Sequence, residues 1–116
     1  PTDVDVSSRE AIFLQEVKSQ VEAKLANADF GPYELADAML LSPRQLRRKL
    51  GGLIDETPAQ LIRRFRLELA ASLLEQGAGS VKEIAARSGF GSTSRFSAAF
   101  REHHGVPPSE YAGRTA

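Results

Sequence analysis

The stretch EIAARSGFGSTSRFSAAF, residues 83–100, has a counterpart earlier in the chain, ELADAMLLSPRQLRRKL at residues 34–50. The two stretches align at an offset of 49, and one extra residue near Gly91 changes the offset to 50. The matching positions are Glu34 with Glu83, Leu35 with Ile84, Ala36 with Ala85, Ser42 with Ser92, Leu46 with Phe96, and Leu50 with Phe100. The chain therefore contains an internal repeat.

Each repeat predicts a short helix, a tight turn and a second helix. A small residue, Ala36 or Ala85, stands midway along each first helix, where two helices can cross closely. This is the pattern of a helix-turn-helix, whose second helix enters the major groove of DNA. Helical hairpins in repeat arrays also place small residues at crossings, but two units are too few for an array.

Helix signals run along the whole chain, and strand signals are missing because apolar and polar residues do not alternate. Gly77 marks the end of a long helix. The helix starts carry a capping Ser or Thr with Glu or Gln three residues later, namely Ser7 with Glu10, Ser42 with Gln45, Thr57 with Gln60, and Ser80 with Glu83. We predict an all-α fold of seven helices, in which a long linker helix at 58–76 joins two helix-turn-helix units.

The composition is that of one ordinary globular domain, with 116 residues, 41% hydrophobic and 26% charged. The absence of cysteine excludes a disulfide scaffold, a thiolate zinc site and a cysteine nucleophile. No apolar run approaches the roughly 18 residues that span a membrane, and we expect no signal peptide within this sequence. The chain starts at Pro1 without a Met, so we expect it to be a piece of a longer protein. We expect that protein to be cytoplasmic.

The formal net charge of zero hides an asymmetry along the chain. Residues 1–41 hold three basic and eight acidic residues, a net of −5, whereas residues 42–116 hold twelve basic and seven acidic ones, a net of +5. Such polarity indicates an anionic partner for the second part, although a solvated surface of mixed charge explains it equally well.

The second helix of each repeat carries polar residues suited to contacts with DNA. In the first repeat Leu46 and Leu50 are expected to face the core, so the neighbouring polar side chains point elsewhere; these are Arg44, Gln45, Arg47 and Arg48. Arginine and glutamine make bidentate contacts with guanine and adenine, and arginine also binds phosphate. A solubilising arginine face is the alternative. The second repeat offers a smaller and less basic set, Thr93, Ser94, Arg95 and Ser97, whose hydroxyls can still bind bases or phosphates.

The chain closely resembles the DNA-binding domain of AraC/XylS-family bacterial transcription regulators over residues 10–112. The most specific positions are Ile84-Ala85, Gly89-Phe90-Gly91-Ser92, Phe96, Phe100, Gly105, Pro107-Pro108 and Tyr111. Phe65-Arg66-Leu67, with Ala70 and Leu73-Leu74, is similar to the linker helix of the family. The opening, from Phe13-Leu14 to Asp29-Phe30, resembles the version at the end of hybrid two-component sensors and response regulators.

The resemblance implies a single DNA-binding domain over residues 1–116, with helix-turn-helix subdomains at 7–57 and 77–114. Helices 43–52 and 92–103 are then the recognition helices for sequence-specific binding of double-stranded DNA. It implies DNA contacts from Arg44, Gln45, Arg47, Arg48, Thr93, Ser94, Arg95, Ser97 and Arg101. The implied partners are DNA, RNA polymerase and upstream sensor or receiver domains, and we expect no cofactor, metal or small-molecule ligand in this domain.

Three positions depart from the family pattern. The family often has glycine in the first turn, where this chain has Leu40, and a left-handed backbone there would cost about 1 kcal/mol or more. In the second recognition helix, Ala98 stands where the family often has a basic residue, and Arg95 where it often has an aromatic one. The base contacts of that helix are therefore expected to differ from those typical of the family.

The rival interpretation is a helical protein-interaction module that does not contact DNA, docking through the linker helix or the acidic first helix. No Ser/His/Asp set has a supporting motif, so an enzyme is not indicated. The adjacent His103 and His104 point about 100° apart on a helix and do not chelate one metal ion. We expect this pair on the surface near a helix end.

Overall fold

The computed structural model describes the backbone of residues 2–115 and the side chains of residues 8–112. Within that range the chain is all-α and has no strand, as the sequence predicts. The seven helices are α1 Thr2–Lys24, α2 Pro32–Ala38, α3 Pro43–Ile54, α4 Pro58–Glu75, α5 Val81–Arg87, α6 Thr93–His104 and α7 Pro108–Thr115. None of these helices is both long enough and apolar enough to cross a membrane.

The helix starts follow the capping residues in all but one case. α3, α4 and α5 begin directly after Ser42, Thr57 and Ser80. The prediction for α1 is wrong, because this helix begins at Thr2 and Ser7 lies inside it. The segment before Ser7 contains no internal glycine or proline that would end a helix, so the backbone continues through the capping pattern.

The chain divides into two compact units. The first consists of the chain up to Lys24 together with Phe30–Ile62. Its α1 packs against α2, and α2 against α3, around apolar side chains at helical spacing. The fully buried members of this core are Val17, Val21, Leu35, Leu46 and Leu50. Burial of the two α3 leucines confirms which side of that helix faces inward.

The second unit consists of Leu25–Asp29 together with the chain from Arg63 onward. Its core is built around Phe96 and Phe100 of α6, both fully buried, which pack on the apolar side of α4 and on α5. The Phe96 ring lies 5.1 Å from the ring of Phe90 and 5.6 Å from that of Phe100, centroid to centroid. The phenylalanines therefore serve packing.

The prediction that both histidines at the end of α6 lie on the surface holds for only one of them. His103 is exposed, but His104 is partly buried. The His104 ring lies 4.3 Å from the ring of Phe100, and its Nε2 lies 3.3 Å from the carbonyl oxygen of Leu67. Among the described residues, no group of three His, Asp or Glu side chains could hold a metal ion.

The first helix of each helix-turn-helix ends in the same turn. Two backbone hydrogen bonds close it in each unit, in the pattern of a Schellman motif. The first unit has Leu40 N–H to Asp37 O at 3.0 Å and Leu41 N–H to Ala36 O at 2.9 Å, and the second has Gly89 N–H to Ala86 O at 3.1 Å and Phe90 N–H to Ala85 O at 2.9 Å. The repeat in the sequence is thus a repeat of backbone structure.

Candidate DNA-binding surface

The start of α3 is fixed by a reciprocal pair of hydrogen bonds. The backbone N–H of Gln45 donates to Ser42 Oγ at 3.1 Å, and the backbone N–H of Ser42 donates to Gln45 Oε1 at 2.9 Å. Pro43 occupies the first helical position, where it has no hydrogen bond to lose. The N-terminal turn of α3, which carries the predicted contact residues, is therefore held in one conformation.

The three arginines of α3 lie on one exposed face. At about 100° per residue, Arg44, Arg47 and Arg48 fall within an arc of about 100°, on the side away from the buried leucines. All three are exposed, and within the described part of the chain none of them forms an ion pair. This face combines three uncompensated cations with the positive end of a helix, which is suited to a polyanion.

Two other polar residues of α3 are already engaged. Gln45, predicted to contact DNA, uses its Oε1 atom in the capping pair and keeps only its amide nitrogen for other partners. The Nζ atom of Lys49 lies 4.6 Å from the ring centroid of Phe13 on α1, a cation–π contact. Among the predicted contact residues of α3, only the three arginines therefore keep their whole polar group for an outside partner.

The predicted contact residues of α6 divide between two sides of the helix. Ser94, Ser97 and Arg101 follow one another at spacings of three and four, so they share one side. Arg95 follows Ser94 by one residue and is turned about 100° from it. Arg95 instead lines a cleft beside α4. Thr93 is exposed in the first turn.

Arg95 stands three residues after the capping Ser92, at the position where a glutamine or glutamate would complete a reciprocal cap. The Ser92 Oγ accepts a hydrogen bond from the backbone N–H of Arg95 at 3.2 Å. A guanidinium has no acceptor atom, so Arg95 cannot accept a hydrogen bond from the backbone N–H of Ser92 as Gln45 Oε1 accepts one from Ser42 in α3. The Arg95 side chain is consequently free of the helix start and makes no hydrogen bond with the described residues.

The linker helix α4 carries three further arginines, which have partners inside the chain. Arg63 lies 3.3 Å from Glu102, and Arg64 lies 3.4 Å from Glu68. Arg66 donates from a terminal nitrogen to Asn27 O at 2.8 Å, and its burial lowers the pKa of its guanidinium. This arginine holds the 25–29 segment in the second unit.

The anchoring role of Arg66 was not predicted from the sequence, although the chain carries a signal for it. Arg66 stands four residues from Ile62 and from Ala70, which are 2% and 0% exposed. It therefore lies on the buried stripe of α4, where a charged side chain needs polar partners.

Two helix-turn-helix units, one with a basic and one with a hydroxyl-bearing second helix, define a DNA-binding domain. A family model described as a helix-turn-helix domain matches residues 35–114. The chain belongs to the AraC family of transcription regulators, as the resemblance implies. Its family function is binding to DNA.

Two curated relatives illustrate the match. The HTH-type transcriptional regulator GbdR of Pseudomonas aeruginosa is 36% identical over 84% of this chain and 26% of the relative. Histidine kinase P4 of Formosa agariphila is 29% identical over 98% of this chain and 8% of the relative. The chain therefore spans about a quarter or less of the length of these relatives.

Two solved structures have the same fold. The DNA-binding domain of the global transcriptional factor AdpA, in complex with a target DNA, has a TM-score of 0.80 and 31% identity, covering 87% of this chain and 90% of that one. The C-terminal domain of AraT, a response regulator from Geobacillus stearothermophilus, has a TM-score of 0.82 and 27% identity, covering 90% and 85%.

Proposed function

We propose that this domain is the sequence-specific, double-stranded DNA-binding output domain of a two-component transcription regulator, with α3 and α6 as its recognition helices. The observation that carries the proposal is the α3 face, where three exposed arginines lie opposite a fully buried leucine pair. The reciprocal cap of α3 fixes the helix turn that presents these arginines. Arginines on a fixed helix start can meet guanine edges bidentately.

The second recognition helix contributes a different chemistry. Ser94, Ser97 and Arg101 form its contact side, and Thr93 stands at its start. Serine and threonine hydroxyls make single hydrogen bonds to bases or phosphates, and Arg101 adds a charge for the backbone. Arg95 reaches DNA only at the edge of this side. The two helices should therefore read unlike sequences.

The association with a two-component system is supported by two relatives. One is named a histidine kinase and matches 98% of this chain, and one is the C-terminal domain of a response regulator. We assign the sensing step to upstream sensor or receiver domains of the natural protein. RNA polymerase is a second partner of the DNA-bound domain. These contacts add to DNA binding and do not compete with it.

The decisive experiment is selection of bound sites from a random double-stranded DNA pool with this domain. We expect one asymmetric site with two unlike sequence elements, because the contact faces of α3 and α6 differ. Recovery of no enriched sequence, with binding equal to that of bulk DNA, would contradict sequence-specific recognition. In the full-length regulator, incorporation of phosphate from ATP or acetyl phosphate outside this domain checks the two-component assignment.

A further inference from the structure

A cleft of about 460 Å³ opens in the second unit between α4 and α6. Its charged walls are formed by Arg63 and Arg66 of α4 and by Arg95 and Glu102 of α6. Its apolar surface comes from Phe90, Ala98 and Ala99. The cleft lies on the side of α6 that is turned away from Ser94 and Ser97, so the DNA-contact side does not account for it.

The internal repeat explains why space is left here. Ala98 and Ala99 correspond, at the offset of 50, to Arg48 and Lys49 of α3. The first unit thus has two long cationic side chains at the positions where the second unit has two methyl groups. Both alanines line the cleft; Ala99 is 7% exposed, and Ala98 is an exposed residue.

The walls of the cleft carry an excess of positive charge. Three arginines and one glutamate give it a net charge of +2. The carboxylate of Glu102 lies 3.3 Å from Arg63, and both side chains are more than half exposed, at 80% and 54%. Such an exposed pair is weak and can be rearranged by a competing anion. Arg95 makes no side-chain hydrogen bond within the described residues.

Arg66 is the fixed part of the wall. It donates from Nε to Leu25 O at 3.4 Å and from a terminal nitrogen to Asn27 O at 2.8 Å. These partners are carbonyl oxygens, and they orient the guanidinium. A wall with one anchored arginine and two exposed ones favours a carboxylate over a neutral ligand.

We propose that this cleft binds a small organic anion, one carboxylate on a flat apolar body, with the carboxylate at Arg63 and Arg95. The apolar body lies on Phe90 and the two alanines. The volume falls within the range of ordinary ligand sites, about 300–1,000 Å³. The proposal departs from the expectation, drawn from the sequence, that this domain takes no small-molecule ligand.

The bound anion lowers the affinity of the domain for DNA. It neutralises Arg95 and occupies the space next to Ala98, at the border of the contact side of α6. This part of the proposal rests on the proposed function, whereas binding of the anion itself does not. The two can therefore fail separately.

The test is a titration of the ¹⁵N-labelled domain with 2-naphthoate, followed by proton–nitrogen correlation spectra. We expect saturable shifts at the amides of Phe90, Ala98 and Ala99 and at the Nε–H of Arg95. The dissociation constant should be about 1 mM, which is ordinary for a ligand of about 13 heavy atoms. 2-Naphthylmethanol, which lacks the charge, and acetate, which lacks the apolar body, should each bind at least fivefold more weakly.

Variants locate the site. Arg63→Gln and Arg95→Gln should each weaken 2-naphthoate binding about twofold to fivefold, and Glu102→Gln should strengthen it by a similar factor, because it removes the competing carboxylate. Lys82→Gln removes an exposed cation of the same unit that does not line the cleft, so it is the matched control and should bind as the unaltered domain does. Unchanged spectra elsewhere show that each variant is folded.

Several results would overturn the anion site. These are equal binding of 2-naphthylmethanol, shifts spread over both units, an unchanged affinity in Glu102→Gln, or equal shifts with inorganic phosphate, which would make the cleft a simple phosphate site.

The competition with DNA is tested separately. At saturation, 2-naphthoate should weaken binding of the domain to the selected DNA site at least threefold. Full DNA affinity at saturation disproves the competition. A domain that binds 2-naphthoate but binds no DNA even in its absence disproves only the proposed function.

Discussion

Leu40 and Gly89 occupy the same left-handed backbone position in two corresponding turns, with φ of 59° and 84°. The second turn has the residue that this conformation favours, and the first does not. The sequence predicts strain at Leu40 if its backbone is left-handed, and its φ angle is left-handed. The surroundings of the two residues also differ. The Leu40 side chain is 92% exposed, whereas a Cβ at Gly89 would lie 2.1 Å from the Leu25 carbonyl oxygen.

Leu40→Gly should stabilise the domain. A left-handed leucine costs about 1–2 kcal/mol, and the greater freedom of glycine in the unfolded chain returns part of that gain. Because the exposed leucine buries almost nothing, we expect a net increase of about 0.5–1 kcal/mol in the free energy of unfolding, or a few degrees in Tm. Thermal and urea unfolding measure it. A Tm below that of the unaltered domain would mean that Leu40 makes contacts worth more than its strain.

Gly89→Ala is the matched contrast and should destabilise strongly. It adds the same backbone strain and also pushes a methyl group against the Leu25 carbonyl and against Arg66 Nε, 2.6 Å away. We expect a loss of more than about 3 kcal/mol, since neither the backbone nor the anchored guanidinium can move without breaking the Arg66 hydrogen bonds. If the stability lost in Gly89→Ala only equalled the stability gained in Leu40→Gly, the backbone angle alone would account for both effects.

Substitutions in α3 should weaken DNA binding more than those in α6. Arg44→Ala, Arg47→Ala or Arg48→Ala each removes a contact worth roughly 1–3 kcal/mol in base discrimination, whereas Thr93→Ala or Ser97→Ala removes one weaker bond. At least one arginine variant should also relax base preference at one position. Fluorescence anisotropy on the selected site and on single-base variants measures both effects.

The control for those variants is stability. The three arginines are exposed, so their alanine variants should keep the Tm of the unaltered domain. Leu46→Ala, fully buried on the same helix, should lose roughly 2–5 kcal/mol of stability together with binding. Arginine variants that bind like the unaltered domain, or larger losses from the α6 set, would contradict this division of work.

DNA affinity should fall steeply with salt. Each phosphate that the protein neutralises releases counterions, and about five such contacts give a log–log slope near −4.5. Arg44→Ala should make the slope less steep by about one unit if that side chain binds phosphate, and leave it unchanged if it binds only a base edge. Anisotropy titrations at several salt concentrations measure the slope. A flat response would count against DNA as the partner.

Glu83→Gln should remove part of the acid sensitivity of the domain. Hydrogen bonds with Ser80, first from its backbone N–H, hold the pKa of Glu83 below its ordinary value of 4.5. The stability this carboxylate contributes is therefore present above about pH 4.5 and lost as the pH falls through the lower folded pKa. Glutamine keeps the cap, as Gln45 does in α3, but does not titrate. Measured by urea unfolding between pH 3 and 7, the free energy of unfolding should decline less steeply towards low pH in the variant. An identical pH profile would disprove the contribution of Glu83 to acid sensitivity.

Local chemistry made much of the fold predictable. A capping pair such as Ser80 and Glu83 acts within one turn, so its effect on the start of α5 can be read from the sequence. Burial of Leu46 and Phe96 follows from helical periodicity for the same reason. The start of α1 was the exception, because a capping pattern permits a helix start without enforcing one.

The sequence predicted which residue types the two recognition helices present, but only partly which way each side chain points. The sequence by itself determined that α3 presents arginines, because they lie opposite two leucines that must be buried. Only the tertiary structure decided that Lys49 turns to Phe13, that Arg95 lines a cleft, and that Arg66 binds carbonyl groups at positions 25 and 27. Each of these depends on groups brought together from distant parts of the chain, or on space left by neighbouring small residues. No periodicity or local pattern encodes such distances, which exist only once the helices have packed.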